Sequence, residues 1–293
     1  MNTSGKISVS VLIPTRNEER NIGACLDAVA WAGEVIVFDS LSTDATIDIA
    51  GEKGAAIVSR EFDNFSDHKN WALANIEFQH DWILIVDADE RVTPELAREI
   101  GERIENPGPH QGYFIARKNI FGGKWTRRAG MYPDWQLRLV MKGRARYERR
   151  IVHEHMVIDG SAGHLGLPLV HYDYKGIERY IDRHNTYSSL EAVEAHRYLA
   201  ATGTGPGTGQ RIAEGGPERR RRLKQFAYRW LPFRPLFVFI WMYLVKLGFL
   251  DGKWGLRYCI LRAVYEFQID LKREELARAD SPLAEKYRDE LER

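Results

Sequence analysis

Cysteines, glycine-rich phosphate motifs and long apolar runs are scarce or missing in this sequence. Cys25 and Cys259 are the only cysteines among 293 residues, and neither has a second metal-binding side chain at a useful spacing. We therefore expect two reduced core thiols, with neither disulfides nor a thiolate metal site. No Gly-x-Gly-x-x-Gly follows the first predicted strand, and no Gly-x-x-x-x-Gly-Lys-Ser/Thr occurs. The sequence thus supports neither a dinucleotide-binding fold nor a P-loop.

Charge and hydropathy remove further classes of protein. The formal net charge of +1 gives no general case for nucleic-acid binding, and we expect none. The apolar run at residues 236–250 is interrupted by Lys246, whereas a membrane-spanning helix needs about 20 apolar residues, so no span is expected. The first residues contain no basic region followed by an apolar signal core, from which we expect a cytoplasmic protein.

What the sequence does contain is an alternation of strand and helix patterns. Its hydrophobic fraction of 44% is enough for one large domain and an appendage. Residues 7–13 form a β-rich run, and apolar residues then recur at helical spacing. Further strand patterns occur at residues 34–38 and 55–59, each followed by a polar helix start. Right-handed crossovers between such strands predict a parallel sheet covered by helices on both faces.

A buried strand that stops on two carboxylates is the centre of the predicted site. Residues 82–86 are an unbroken apolar run, which is typical of a strand buried on both faces. Asp87 and Asp89 follow at its carboxyl end, where open α/β sheets have their ligand crevice. Side chains two apart can point the same way and hold a divalent cation against a diphosphate. Alternatively, the pair caps the next helix, which Thr93 and Pro94 begin well.

Four short motifs are informative because of their order. They are Ile-Pro-Thr-Arg-Asn-Glu at 13–18, Val-Ile-Val-Phe-Asp-Ser-Leu-Ser-Thr-Asp-Ala-Thr at 35–46, Asp-His-Lys-Asn at 67–70 and Ile-Val-Asp-Ala-Asp-Glu at 85–90. Together they resemble the family 2, inverting, GT-A glycosyltransferases over roughly the first 160 residues. Residues 62–70 and 133–139 look most like the bacterial lipopolysaccharide-core branch, which includes β-1,4-glucosyltransferases. The resemblance implies a Rossmann-like, mostly parallel sheet with helices on both faces and a C-terminal helical appendage.

The resemblance also implies roles for individual residues. Those it places against the nucleotide sugar are Pro14, Thr15, Asn17, Glu18, Asp39, Lys69, Asn70, Asp87 and Ala88. Asp39 would accept hydrogen bonds from the base or ribose, with turn formation as its alternative role. Asp87 and Asp89 would bind Mg²⁺ or Mn²⁺, which suit oxygen ligands and neutralise the leaving diphosphate.

The segment from residue 111 to 172 is expected to build the acceptor side. Short β-like runs separated by glycines predict a mixed or antiparallel extension of the sheet. An inverting transfer needs a carboxylate base, and by resemblance Asp134 is the first candidate, with Glu154 in reserve. A turn or capping role is the alternative for Asp134. His153 would complete the metal shell by resemblance, or be a hydrogen-bonded structural histidine.

The predicted domain organisation places the chemistry first. Residues 1–172 form a GT-A catalytic domain, with a nucleotide-sugar-binding half at 1–110 and an acceptor half at 111–172. An amphipathic helix at 173–200, a flexible glycine-rich loop at 201–218 and a helical region at 219–293 follow.

The C-terminal region combines basic and aromatic residues. Four consecutive arginines at 219–222 precede aromatic and apolar residues that continue to residue 250. This pattern fits an interfacial anchor on the inner face of the cell membrane. A buried helix that packs on the catalytic domain, or on another subunit of a homo-oligomer, is the alternative.

The predicted activity is metal-dependent, inverting transfer of a hexose from a donor such as UDP-glucose to a lipid-linked or lipopolysaccharide-core glycan. Transfer to a polyprenyl phosphate is the runner-up, and the lack of a clear transmembrane pair counts against it. A non-catalytic nucleotide-sugar-binding protein is the alternative from another class. The presence of Asp87, Asp89 and Asp134 argues against that alternative.

Overall fold

The computed structural model describes residues 5–148, 155–172, 176–201, 233–278, 280–288 and 291. The chain divides into two compact units, Met1–Tyr174 and Lys175–Arg293, which we call the α/β unit and the helical unit. Every residue of the predicted site belongs to the α/β unit.

Four parallel strands form the first part of the sheet. They are β1 (Ile7–Thr15), β2 (Ala32–Asp39), β3 (Ala56–Ser59) and β4 (Trp82–Ile85). Their order across the sheet is β3-β2-β1-β4, so β2 and β3 lie on one side of β1 and β4 lies on the other. Such a reversal opens a crevice at the carboxyl ends of the strands, where ligands bind. The predicted parallel sheet is confirmed.

Helices cover both faces of this sheet. They are α1 (Glu19–Ala28), α2 (Thr46–Glu52), α3 (Phe65–Asn75) and α4 (Pro94–Glu105). The helical spacing read from the sequence is confirmed in α1, where Ile22, Cys25 and Leu26 are buried. Helix α4 is capped by Thr93, whose hydroxyl accepts a hydrogen bond from the Leu96 N–H at 3.3 Å. The cap therefore does not require the two aspartates of the preceding turn.

Strand β4 is enclosed from both sides, as predicted. Trp82 and Leu84 belong to the core that includes residues of α1 and α4. Ile83 and Ile85 belong to a second core that includes α3. None of the four is more than 5% exposed, and each such burial contributes about 1.5–3 kcal/mol. Charge can therefore appear only beyond the end of this strand, at the sheet edge where Asp87 lies.

An extension with antiparallel pairing continues the sheet beyond β4. Strand β8 (Asp134–Met141) lies between β4 and β6 (His110–Phe121) and is antiparallel to both. Since β8 runs against β4, its first residue, Asp134, lies toward the carboxyl end of β4. Strand β12 (Leu169–Tyr172) is parallel to β6 and antiparallel to β5 (Glu90–Arg91). The shorter strands are β7 (Lys124–Trp125), β9 (Ala145–Tyr147), β10 (Met156–Ile158) and β11 (Ser161–His164). The predicted mixed extension is confirmed.

The helical unit is built around two long helices. Its elements are α5 (Gly176–Ala201), α6 (Arg234–Ile240), a π-helical turn (Trp241–Val245), a 3-10 turn (Gly248–Asp251), α7 (Gly252–Leu276) and α8 (Pro282–Lys286). Ala192 and Val193 of α5 pack with Tyr265 and Ile269 of α7. The predicted loop beyond Ala201 and the arginines at 219–222 lie outside the described residues.

Within the described ranges, no single helix is both long and apolar enough to cross a membrane. Arg234–Val245 and Gly248–Leu276 meet the length and composition requirement only as a pair, and the pair is bent by 71°.

Candidate active site

Two loops at the carboxyl edge of the sheet are bonded to each other. The Asn17 N–H donates to Ser42 Oγ at 2.9 Å, and the Asn17 side-chain oxygen accepts from the Thr43 N–H at 2.8 Å. The Glu18 N–H donates to Thr46 Oγ1 at 2.8 Å. Asn17 has a φ of 54°, a left-handed conformation that Asn tolerates better than most residues. The motifs at 13–18 and 35–46 therefore form one braced structure.

Asp39 supports this pair of loops from inside the protein. Its side chain is fully buried and accepts hydrogen bonds from Thr15 Oγ1 at 3.0 Å and from the Ser42 N–H at 2.7 Å. The Ser42 hydroxyl donates to the same carboxylate. These bonds give Asp39 the turn-forming role that was its alternative. Its contact with a base or ribose stays a prediction.

Asp87 is held by a buried arginine of the neighbouring strand. Arg138 of β8 donates to Asp87 Oδ2 at 2.6 Å and to Glu90 Oε1 at 2.8 Å. The other oxygen of Glu90 accepts from the Asp87 N–H at 3.0 Å. Arg138 is 6% exposed and Glu90 is fully buried. This cluster fixes the acidic turn relative to the strand that begins at Asp134.

The pKa values of the two carboxyl groups in the cluster shift in opposite directions. Burial disfavours the charge on Asp87, but Arg138 and Lys69 outweigh it and hold the pKa of Asp87 well below its usual range. Burial raises the pKa of Glu90 against the attraction of Arg138, and Asp87 adds to the rise. Burial also opposes the charge on Arg138, yet the two carboxylates keep its pKa well above the ordinary value. Asp87 therefore stays ionised, and Glu90 is the carboxyl that takes up a proton first.

Asp89 has a different neighbour. Its Oδ2 lies 3.3 Å from Nε2 of His171 on β12. Octahedral ligands at about 2.1 Å from Mg²⁺ are separated by roughly 3 Å, so these two atoms are spaced like adjacent ligands of one ion. Asp87 Oδ2 is bonded to Arg138, whereas Asp89 has an imidazole nitrogen beside it. That both aspartates grip one cation stays a prediction.

A site with two protein ligands fits a substrate-linked ion. Among the described residues, no group of three or more His, Cys, Asp or Glu side chains could hold a metal. Mg²⁺ usually takes one or two carboxylates and completes its shell with substrate phosphates and water. Asp89 supplies one carboxylate of that donor set, and His171 would add an imidazole nitrogen. The predicted ligand His153 and the reserve base Glu154 lie outside the described residues.

Asp134 is oriented by two side chains that line a cavity. Arg117 donates through Nε to Asp134 Oδ2 at 3.0 Å, and Gln136 Nε2 donates to Oδ1 at 3.0 Å. The Asp134 side chain is 28% exposed, so a substrate can reach it. Both Arg117 and Gln136 line a cavity of about 220 Å³.

The same cavity presents mainly positive charge. Lys69, Arg117 and Arg138 line it together with one carboxylate, Asp87. Lys69 Nζ lies 5.0 Å from the ring centre of Tyr147. Arginine and lysine side chains both bind diphosphates, so these lining residues suit such a ligand.

The remaining predicted residues have structural contacts. The Asn70 side chain donates to the Tyr147 carbonyl at 2.9 Å and accepts from the Tyr147 N–H at 2.7 Å, which ties α3 to β9. The Ala88 carbonyl accepts from Arg91 Nη1 at 2.8 Å. Pro14 lies on β1 beside Phe38 of β2. Direct contact of these residues with a nucleotide sugar stays a prediction.

A buried histidine adjoins the braced loops. Arg60 Nη1 and His68 Nδ1 are 2.9 Å apart, and since a guanidinium can only donate, Nδ1 must accept. The ring proton is then on Nε2, which donates to Ser40 Oγ at 2.9 Å. Burial and the charge of Arg60 lower the pKa of His68. His68 is therefore a neutral structural residue that connects the ends of β2 and β3 to α3.

Sequence reasoning gave no site role to Glu90, Arg117, Arg138 or His171. Each acts through a partner that is distant in sequence and is brought close by strand pairing. Strand register brings Arg138 to the acidic turn, because its neighbour Leu139 on β8 pairs with Leu84 on β4. His171 reaches the acidic turn because it pairs with Glu90. The one local signal was Glu90 itself, a third acidic residue directly after the Asp-x-Asp pair.

Several known proteins are similar to this chain in sequence. The sequence model of Glycosyl transferase family 2 matches residues 10–163, just over half of the chain. The lipopolysaccharide core biosynthesis glycosyltransferase LpsC of Rhizobium meliloti is 27% identical over 202 residues, covering 64% of this chain and 71% of LpsC. An uncharacterised glycosyltransferase of Rickettsia typhi is 30% identical over 199 residues, covering 64% of this chain and 67% of that protein.

Among solved structures, glucosyl-3-phosphoglycerate synthase from Mycobacterium tuberculosis, in complex with Mn²⁺, UDP and glucosyl-3-phosphoglycerate, is 25% identical with a TM-score of 0.33. The similarity covers 40% of this chain and 45% of that one. The assignment of the present chain rests instead on the family match and on its own sheet order and acidic turn. This chain belongs to glycosyl transferase family 2 and is a glycosyltransferase.

Proposed function

We propose that this glycosyltransferase transfers a hexose, with inversion, from a UDP-glucose-like donor to a lipid-linked or lipopolysaccharide-core glycan, with the help of a divalent cation. One observation carries the proposal: Asp87 of the acidic turn lines the same cavity as Arg117 and Gln136, the two residues that are bonded to Asp134. This arrangement supports a donor and a base at one site.

The cavity side chains suit the donor. Lys69 and Arg117 provide charge-assisted hydrogen bonds for a diphosphate. Asp87, fixed by Arg138, is the ionised acceptor for donor hydroxyl groups. Because these side chains are held by partners before the ligand arrives, little ordering is required on binding.

Asp89 and His171 are the residues that would hold Mg²⁺ or Mn²⁺. When bound, the cation supplies Lewis-acid neutralisation of the charge that develops on the leaving diphosphate. Arg138 maintains Asp87 as a second negative group beside that position.

Asp134 is the proposed base. Its carboxylate removes the proton of the acceptor hydroxyl as that oxygen forms a bond to the anomeric carbon. The bond from the anomeric carbon to the diphosphate oxygen breaks on the opposite face, and the diphosphate leaves with the electron pair. Arg117 and Gln136 orient the carboxylate for this step.

The acceptor class is proposed from similarity. LpsC is named for lipopolysaccharide core biosynthesis, and its similarity covers 64% of this chain. The motifs at 62–70 and 133–139 resemble the same branch.

A ligand panel tests the donor. Melting temperatures would be measured with UDP-, GDP- and ADP-sugars, each with and without Mn²⁺. One base and sugar should stabilise the chain by about 2.7 kcal/mol at a hundredfold excess over its Kd, and only with the metal. If no nucleotide sugar changes the melting temperature, the proposed donor class is wrong.

A matched pair of lysine variants tests whether the donor binds in the cavity. Lys69→Met should weaken donor binding by about tenfold or more, because it removes a cation that lines the cavity. Lys53→Met removes an equally simple charge from an exposed pair with Asp27 and should leave binding unchanged. If both variants bind the donor with equal affinity, the cavity is not part of the donor site.

Product analysis tests the acceptor and the stereochemistry. The selected donor would be incubated with a truncated lipopolysaccharide core and, separately, with a polyprenyl phosphate. We expect a product only from the core glycan, with an anomeric configuration opposite to that of the donor. A product only from the polyprenyl phosphate would replace the proposed acceptor class, and a retained configuration would exclude the direct displacement.

A further inference from the structure

The helical unit leaves a group of large apolar side chains exposed along residues 234–276, which we call the bent segment. In its first part, Phe237, Trp241 and Leu244 are 50%, 53% and 54% exposed. Val245 and Leu250, next to the bend, are 55% and 56% exposed. Isolated exposed apolar residues are ordinary, but so many within one segment indicate an interaction surface.

Helix α7 adds a second exposed row. Ile260, Val264, Phe267 and Leu271 are 44–52% exposed and recur at spacings of four, three and four residues, so they lie on one face of the helix. Cys259, Tyr265 and Ile269 of the same helix are at most 3% exposed. Helix α7 therefore has one apolar face inside the core of the helical unit and another with no cover among the described residues.

Cations and indoles accompany this surface near the bend. Lys246 Nζ lies 5.6 Å from the ring centre of Trp241, and Arg257 Cζ lies 4.8 Å from that of Trp254. Between residues 235 and 261 the only acidic residue is Asp251, against three basic ones. Indole rings prefer the head-group region of a bilayer, and basic side chains extend from apolar surface to reach its phosphates.

We propose that the bent segment inserts into the surface of an anionic lipid bilayer. Its composition and length satisfy the membrane requirement as a bent pair, which suits a segment that enters one leaflet at an angle. The basic run at 219–222, directly upstream in sequence, adds charge of the same sign. A second copy of this chain would bring identical cations to the rim of the contact, whereas lipid phosphates are complementary to them.

The test uses the full-length chain and one fluorescent label. Both native cysteines are fully buried, so an environment-sensitive dye will react at an introduced cysteine. Leu244→Cys places the dye on the bent segment, and Ile181→Cys places it on α5, at an apolar side chain that is 46% exposed in the same unit. Each labelled protein is mixed with phosphatidylcholine vesicles with and without phosphatidylglycerol.

We expect a blue shift at position 244 with the anionic vesicles, none at position 181, and affinity about tenfold or more weaker without phosphatidylglycerol. Lys246→Gln combined with Lys253→Gln should also weaken the anionic binding by about tenfold or more. Each emission shift and affinity is measured only on a variant whose thermal unfolding is still cooperative.

Four results would overturn the proposal. The emission of the dye at position 244 can remain unchanged with either kind of vesicle. Alternatively, the emission of the dye at position 181 can shift by as much as that at position 244. Without lipid, a shift at position 244 that grows with protein concentration would instead show a second copy on the surface. A dye at position 244 that is shielded from solvent at every concentration would show that part of the chain itself covers it. Vesicle binding requires neither donor nor acceptor, so its failure leaves the proposed transfer reaction untouched.

Discussion

The two units differ in which side chains they leave exposed. In the α/β unit the exposed large apolar residues are few and dispersed, for example Leu41, Ile57 and Leu167. In the helical unit they are concentrated in the bent segment. Conversely, the α/β unit buries the charged side chains of Arg138 and Glu90 beside its cavity, where Asp87 is partly exposed. One unit thus orders polar groups beside a cavity, whereas the described residues of the other keep large apolar side chains exposed.

The helical unit also has a buried ion cluster, but its setting is different. Arg234 is 4% exposed and donates to the Glu266 carbonyl at 2.9 Å and to Asp270 at 2.7 Å. These bonds fix the start of α6 on α7. A buried ion pair can thus have a packing role alone, and what points to a site at Arg138 is the cavity that it lines.

The largest expected effect is on catalysis and should be confined to the α/β unit. Asp134→Asn removes the proposed base and should lower kcat by roughly 10²–10⁴-fold while donor affinity changes little. Steady-state rates and donor titrations measure the two quantities. Vesicle binding of this variant should equal that of the wild type. A kcat within a factor of about three of the wild-type value would contradict the role of Asp134 as the base.

The next effect concerns stability. Arg138→Met leaves Asp87 and Glu90 without their buried partner and should reduce the free energy of unfolding by about 3–5 kcal/mol, measured with urea. The control Arg144→Met breaks an exposed pair with Asp159 and should cost less than about 1 kcal/mol. Adding Glu90→Gln to Arg138→Met should recover part of the loss, because it removes one of the two orphaned acids. Equal losses in the two arginine variants would show that the cluster is not a buried network.

The smallest effect is a pH dependence of the α/β unit. The pKa of His68 is lowered in the fold, so the unfolded chain binds the proton better. The associated stability is complete above the unfolded pKa of about 6.5 and falls as the pH decreases below it. His68→Gln should lose less stability than the wild type between about pH 7.5 and 5.5, by no more than about 1.4 kcal/mol. A steeper loss in the variant would mean that the neutral imidazole is not the folded form.

The sequence predicted the sheet well because burial determines the pattern of its strands. Residues 82–86 are apolar without interruption because both faces of β4 are covered. The place of Asp87 and Asp134 followed from where strands end and begin. The partners of the acidic turn could not be predicted in the same way. Arg138 is 51 residues from Asp87, and His171 is 82 residues from Asp89. Only the strand register brings each pair together. Asp39 and Asn70 show the same limit, because local motifs do not reveal that their polar atoms are bonded within the chain.

The account depends most on Asp89 linking a cation to the donor. The direct measurement is calorimetric titration of UDP-glucose into wild type, Asp89→Asn and the control Asp159→Asn, each with Mn²⁺ and with a chelator. Asp159 is an exposed carboxylate paired with Arg144, so its loss matches the change in charge. We expect Mn²⁺ to tighten binding by about tenfold or more in the wild type and the control, and by less than about twofold in Asp89→Asn. The same metal-dependent tightening in all three proteins would contradict the assignment of the acidic turn as the metal-binding element of the donor site.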